Sequence, residues 1–384
     1  MKLKPLTVIT IFGTRPEVIK LFPIIEQLKQ NRLFRCITIC TSQHREMIED
    51  LITLFSIDVD YDLNIMRDNQ TLTDISINAL SNIEPLLGKQ RPDLVLVQGD
   101  TTTAFIGALV SFYQRIPVGH VEAGLRSFDK MHPYPEEINR RLISLVSDLH
   151  FAPTIKNADN LYREGIDSGK VFVTGNTVID SLLYISSRNG QTLNKYLPLD
   201  IMNSHRLILV TAHRRENWGK PLENLCCALK DLVRSYSDLQ IVYPVHLNPN
   251  VRKTVFNILA NQERIYLLDP LPYEPFVEAM ARSYLIITDS GGIQEEGLSM
   301  RKPILVFRKV TERPEGVETG GAKIVGLKRD NIIRETSRLL ENPITYQKMV
   351  SKSNPYGDGK AAKRIVKAIL HYFDQGDRPK DFVS

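Results

Sequence analysis

The stretch Asp289-Ser290-Gly291-Gly292-Ile293-Gln294-Glu295-Glu296 has the residue types of a phosphate and ribose cradle. Two adjacent glycines let the backbone approach a ligand closely. The free N–H groups of a helix's first turn, after Ser290, then point at whatever lies above them, and an anion is the favoured guest. Glu296, one turn further in, could accept hydrogen bonds from the two hydroxyls of a ribose, so a nucleoside diphosphate fits both halves. An ordinary glycine-containing strand-to-helix turn is the plain alternative. Other residues bear on the choice. Arg15, in Thr14-Arg15-Pro16-Glu17, follows a first strand and opens a helix, where α/β folds bind ligands; its neighbours read as a capping pattern. Lys20 is either a second cation for the same ligand or a solvated side chain. Ala212-His213-Arg214-Arg215 puts a histidine and two arginines at a strand's carboxyl end, which suits a diphosphate, although a structural histidine would look the same. Phe276, early in a helix, either stacks on a base or packs in the core. Arg313 lies in a loop after a strand, as a surface arginine also could.

Carboxylates form a second group. Asp100 ends a strand in Gly99-Asp100-Thr101-Thr102-Thr103, as a functional group or as a helix cap. Glu122 follows a short apolar strand. Glu136 and Glu137 open a helix, so one of them is free to do no more than complement its dipole. Three acidic positions at strand ends or helix starts converge topologically on one rim, which lies opposite the phosphate cradle if two domains face each other.

The elements that must position these groups are legible. Leu6–Phe12, Phe34–Cys40, Asp93–Gln98, His150–Ala152, Val171–Thr174, Arg206–Thr211, Gln240–Pro244, Ile265–Leu268, Leu285–Thr288 and Ile304–Phe307 read as strands, the first of them buried on both faces. Helices are predicted over 46–55, 71–87, 176–187, 272–282 and 360–372. The chain of 384 residues exceeds what one core usually serves. Two Rossmann-like α/β domains follow, over 1–188 and 204–359, with the polar stretch 189–204 as linker and the C-terminal helix completing the first. A formal charge of +5, spread among nearly as many acids as bases, makes nucleic acid a poor partner. The four cysteines lack metal-ligand spacing and read as buried reduced thiols of a cytosolic protein. No segment has the ~20 apolar residues of a membrane span, and the G-x-G-x-x-G dinucleotide fingerprint is absent.

Taken together, Gly13–Glu17, Gly99–Thr103, Gly119–Arg126, Pro135–Arg140, Thr211–Asn217, Asp289–Glu296 and Thr311–Glu315 resemble the non-hydrolysing UDP-N-acetylglucosamine 2-epimerases, nearly end to end. The resemblance implies a glycosyltransferase-B-like fold with two Rossmann-like domains facing a central cleft, a cytoplasmic homodimer, and no metal or nicotinamide cofactor. It implies interconversion of UDP-GlcNAc and UDP-ManNAc for bacterial surface polysaccharides, by expulsion of UDP to 2-acetamidoglucal and its return. Arg15, His213, Ser290, Gly291 and Gly292 match the family's phosphate contacts and Glu296 its ribose contact. Lys20, Phe276 and Arg313 match its other nucleotide contacts, and Asp100, Glu122 and Glu136 its catalytic carboxylates, with His213 counted among the catalytic groups. Gln43, His44, Gln70 and His246 fit a segment where some relatives bind a second UDP-GlcNAc as activator, although Glu46 and Asn69 depart from it. Rival readings are the hydrolysing branch, which has Ala-Asp where this chain has Pro16-Glu17, and an epimerase for a related UDP-sugar.

Overall fold

The structure, a computed structural model, describes residues 4–42, 45–67, 70–188, 190–198 and 206–383. β1 (Leu6–Phe12) is buried along its whole length, as its apolar, β-branched run dictates for a strand covered on both faces. There follow α1 (Arg15–Gln30), β2 (Phe34–Cys40), α2 (Arg45–Leu54), β3 (Tyr61–Asp62), α3 (Leu72–Gln90), β4 (Leu94–Gln98), α4 (Thr102–Tyr113), β5 (Val118–Val121), α5 (Glu136–Val146), β6 (Leu149–Ala152), α6 (Ile155–Arg163), β7 (Val171–Val173) and α7 (Thr177–Ser186). Their strands form one parallel sheet in the order β3-β2-β1-β4-β5-β6-β7. The chain builds outward from β1 to β3, then returns to add β4 on β1's other side. That reversal leaves a crevice beyond the carboxyl ends of β1 and β4, where open α/β sheets bind ligands. Gly13–Arg15 and Gly99–Thr101 stand at those two ends.

A second parallel sheet repeats the logic. β8 (Arg206–Thr211), α8 (Lys220–Ser235), β9 (Leu239–Pro244), α9 (Pro249–Leu259), β10 (Ile265–Leu268), α10 (Tyr273–Arg282), β11 (Leu285–Thr288), α11 (Gly291–Ser299), β12 (Ile304–Val306), α12 (Pro314–Glu318), β13 (Ala322–Ile324), α13 (Arg329–Glu341) and α14 (Pro343–Val350) give the order β10-β9-β8-β11-β12-β13. Here the switch falls between β8 and β11, whose ends carry Thr211–Arg214 and Asp289–Ser290. Leu225, Leu229, Ile241, Ile287 and Phe307 are among the side chains of its core.

One compact unit runs to Ser181 and is completed by Tyr356–Val383; the other spans Leu182–Pro355. α15 (Ala361–Tyr372) packs on α1. Beyond it the Phe382 N–H donates to the Val173 carbonyl at 2.7 Å, and the Arg378 guanidinium lies 4.2 Å from the Phe172 ring centre.

β1, β2, β8, β10 and β11 have the bounds that the sequence predicts. Within 189–204 the described residues include a short 3-10 turn, Thr192–Lys195, pinned by buried Leu193 and Leu197 and by the Leu193 N–H, which donates to Glu278 at 2.8 Å. The four cysteines are free, but only Cys40 and Cys226 are buried; Cys36 and Cys227 are half-buried. Cys227 follows Cys226 on α8, where one residue turns the helix by about 100° away from the core. Among the described residues no helix is long and apolar enough to cross a membrane.

Candidate functional site

In the first unit the carboxylates occupy distinct environments. Thr101, not Asp100, caps α4, its hydroxyl accepting the Ala104 N–H at 3.0 Å. Asp100 is thereby released from capping, and it accepts a hydrogen bond from Arg140 of α5. Asn139 of the same helix donates to the Asp100 carbonyl at 2.9 Å. Burial pushes the Asp100 carboxyl up; Arg140 pulls it down, the Glu122 charge adds to the rise, and the net direction is upward. Glu122 sits just past β5 with a φ of 66°, the left-handed region that side chains seldom adopt. Its buried carboxylate accepts from Lys20 Nζ at 2.7 and 2.5 Å, from Gln98 Nε2 at 2.5 Å and from Asn176 Nδ2 at 2.9 Å. Gly124 keeps that turn close to α6: a Cβ there would lie 2.1 Å from the Asn157 carbonyl oxygen, and its φ is 85°.

The pair opening α5 divides its labour. Glu137 is buried and accepts from the Ser127 N–H at 2.9 Å, the Phe128 N–H at 3.3 Å, Arg141 at 3.1 Å and Arg140 at 3.4 Å, which makes it a structural tie. Glu136 is half-buried, and its Oε2 has no hydrogen-bond partner among the described residues. Glu17 does more than close a cap. Fully buried, it accepts from the Gly13 and Thr14 N–H groups at 2.9 and 2.7 Å and from the Thr101 hydroxyl at 2.6 Å, joining the β1 and β4 turns. Arg15, half-buried, opens α1 beside that tie. His120 on β5 is pushed by burial down to about 3, so its imidazole is neutral and donates through Nε2 to the Gly99 carbonyl at 2.7 Å.

In the second unit Asp289 organises the cradle. It is wholly buried, and its Oδ2 accepts the His213 and Arg214 N–H groups at 3.0 and 2.9 Å and the Asn217 amide at 3.0 Å, locking the β8 loop to the end of β11. His213 Nδ1 lies 3.6 Å from the other oxygen, Oδ1, and its exposed ring stacks on His246 with centres 5.5 Å apart. Burial lowers the His213 imidazole against the pull of Asp289, while His246 and Arg214 lower it further. Ser290 stands at the N-cap of α11 without its hydroxyl capping the first turn. A Cβ on Gly291 would meet the Arg313 guanidinium carbon at 3.8 Å and an Arg214 nitrogen at 3.9 Å, so two cations flank the first-turn N–H groups. Arg214 also pairs with Glu312 at 2.9 Å and Arg313 with Glu295, so the two guanidiniums, the helix N-terminus and the histidine form a candidate anion site with carboxylates beside it. Glu296 is buried, with the Tyr273 hydroxyl donating to it at 3.3 Å, and Phe276 is half-buried on α10.

The amino-acid pattern of UDP-N-acetylglucosamine 2-epimerase matches residues 26–370. The chain belongs to the UDP-N-acetylglucosamine 2-epimerase family. It is 46% identical to the UDP-N-acetylglucosamine 2-epimerase of Bacillus subtilis over 383 residues, covering 100% of each chain. To that of Escherichia coli K12 it is 48% identical over 367 residues, covering 94% of this chain and 98% of the relative. The crystal structure of UDP-GlcNAc 2-epimerase from Neisseria meningitidis bound to UDP-GlcNAc superposes with a TM-score of 0.88 at 46% identity, over 95% of this chain and 100% of that one. The crystal structure of the glycotransferase of kitacinnamycin shares the fold alone, at 12% identity and a TM-score of 0.65. The epimerase fold is thus the glycosyltransferase-B-like one.

Within this epimerase chain the first unit brings Lys20 onto Glu122 and holds Asp100 on Arg140; the second gathers His213, Ser290, Gly291, Gly292 and Arg313. His246 joins His213 there. Gln70 donates through Nε2 to the Ile65 carbonyl at 2.7 Å, while Gln43 and His44 lie outside the described residues. Sequence reasoning missed Gln98 and Asn176, and it quoted Arg140 and Asp289 within its motifs without giving either a role. Of the two missed residues Gln98 left a signal, as an uncharged amide closing an apolar strand. Among the described residues no group of three or more His, Cys, Asp or Glu side chains could hold a metal ion.

Proposed function

We propose that this protein interconverts UDP-GlcNAc and UDP-ManNAc without hydrolysis, by elimination and re-addition of UDP. The observation that carries the reading is the division of charge. A cationic cradle at a helix N-terminus in one unit and three carboxylates at strand ends or helix starts in the other belong to one chain of an epimerase family. A C2–H beside an acetamido group is barely acidic, so the route starts by breaking the C1–O bond to UDP. The C2 proton leaves, C1 and C2 become doubly bonded, and 2-acetamidoglucal and UDP stay on the enzyme. UDP then adds back to C1 while C2 takes a proton on its other face.

Arg15, His213, Arg313 and the N–H groups after Ser290 stabilise the charge that develops on the departing diphosphate. Gly291 and Gly292 permit its close approach, Glu296 takes the ribose hydroxyls, and Phe276 and Lys20 complete the nucleotide contacts. Asp100, Glu122 and Glu136 supply proton transfer at C2. The reading includes a cytoplasmic homodimer that needs no cofactor and serves surface-polysaccharide synthesis.

Proton NMR with UDP-GlcNAc in D2O, without added metal or nicotinamide, is the test. UDP-ManNAc carrying deuterium at C2 is the expected product. Free N-acetylmannosamine with accumulating UDP would point instead to the hydrolysing branch, and an unchanged spectrum would sink the reading.

A further inference from the structure

Three side chains converge on the Glu122 carboxylate and place two hydrogen bonds on each oxygen. Lys20 bridges both oxygens, Asn176 Nδ2 serves Oε1 and Gln98 Nε2 serves Oε2. An ionised carboxylate is a pure acceptor with about four lone-pair positions, so this set of donors fits the charged form. A proton on either oxygen would face a nitrogen that has only hydrogens to offer. The orientation of both amides follows from the same chemistry, because turning either one over would set a carbonyl oxygen against a carboxylate.

The two amides are anchored independently of Glu122. Gln98 is the last, buried residue of β4, and the next residue, Gly99, donates its N–H to the Val121 carbonyl at 3.0 Å. Asn176 donates its backbone N–H to the Tyr356 carbonyl at 2.6 Å, and its side-chain oxygen accepts the Val178 N–H at 3.2 Å. Neither side chain has an ionisable group, and neither lies among the nucleotide or proton-transfer residues named above. Two neutral donors are therefore fixed to the backbone of two different elements and converge on one carboxylate, which is itself held in a left-handed turn.

We propose that Gln98 and Asn176 are positioning residues for the C2 proton transfer, holding Glu122 ionised and fixing the orientation of its carboxylate. The proposal rests on the epimerase reading above.

The test uses the full chain with Gln98→Met and, separately, Asn176→Ser, which keeps an oxygen for the Val178 N–H. Each variant loses one neutral donor to the charged form, a change that favours protonation. The low-pH limb of kcat/KM, followed as deuterium entry at C2 of UDP-GlcNAc, is expected to move up by about one pH unit. Activity should fall about tenfold below the limb and recover above it, with UDP affinity within about twofold of wild type. An evenly lowered profile with an unmoved limb, or an effect confined to KM, overturns the positioning role and leaves the epimerase reading standing. Wild-type protein that exchanges no C2 proton removes both. Should Gln98→Met fail to fold, Asn176→Ser decides alone, since it leaves the β4 core intact.

Discussion

Glu122 and Glu137 are both buried glutamates within reach of cations, yet they are built for different tasks. Glu137 is spent on two backbone N–H groups and two arginines, whereas Glu122, at the end of a strand, accepts from the side chains of Lys20, Gln98 and Asn176. Glu122→Gln keeps the shape and removes the charge. It is expected to cut the rate at which deuterium enters C2 by ~10²-fold or more while UDP binding, measured by calorimetry, persists. Glu137→Gln should instead lower the melting temperature. The sequence leaves these roles open. It offers Asp100 as a cap or a catalyst, and only the structure moves the cap to Thr101; it leaves either Glu136 or Glu137 as a helix-dipole partner, the family resemblance favours Glu136 as the catalyst, and burial ties Glu137 into the fold. The convergence of the two amides on Glu122 is beyond its reach, because side-chain contacts between residues 24 and 54 apart leave no local pattern. A second residue-scale prediction concerns Asp180, which accepts the Ala361 and Ala362 N–H groups at 3.2 and 3.0 Å. Burial raises its carboxyl to about 6, against an ordinary value of 3.8, and the two N–H bonds only partly oppose that. A raised value means that the folded chain holds the proton more tightly than the unfolded one. The contribution to stability is complete below pH 3.8 and is lost as the pH rises through about 6. Thermal melts of Asp180→Asn should therefore fall less than wild type between pH 4 and pH 7, and parallel curves would count against it.

At the scale of elements, the anion cradle depends on how closely α11 approaches its sheet. A Cβ on Gly297 would lie 2.4 Å from Ile304 Cδ1 and 3.0 Å from Ile286 Cδ1, so the helix rests on β11 and β12 with no room for a methyl group. Gly297→Ala should cost about 1–3 kcal/mol by overpacking and weaken UDP binding by shifting Ser290 and Gly291. Adding Ile304→Val removes the obstructing methyl, so the double variant should melt higher than Gly297→Ala alone; additive losses would speak against this packing account. Here the sequence is more informative. Long apolar runs such as Leu6–Phe12 declare buried strands, and the glycines after Ser290 declare a turn that must admit a ligand. β3 and β13, of two and three residues, escape because so short a piece has no periodicity to read. The tightness at Gly297 escapes because a glycine inside a helix looks merely unfavourable until its neighbour is known.

At the scale of the molecule, α15 returns to a unit that began some 350 residues earlier and buries Ile365, Val366 and Ile369. A chain ending at Pro355 should lose the cooperative unfolding of that unit, seen by circular dichroism and by rapid proteolysis within residues 4–181. Composition singles out 189–204 as a break, whereas compactness divides the chain at Ser181, inside a helix whose apolar face gives no hint of a boundary. The return of the chain has a consequence for its birth on the ribosome. Translation proceeds at about 5–20 residues per second, so once Ser181 has been made roughly 9–35 s pass before Tyr356 appears. Throughout that interval α1 lacks its covering helix, and the segment that emerges first is completed last. Chaperones that bind apolar surface on nascent chains have their longest opportunity there, and synonymous slow codons between residues 182 and 355 should lengthen it.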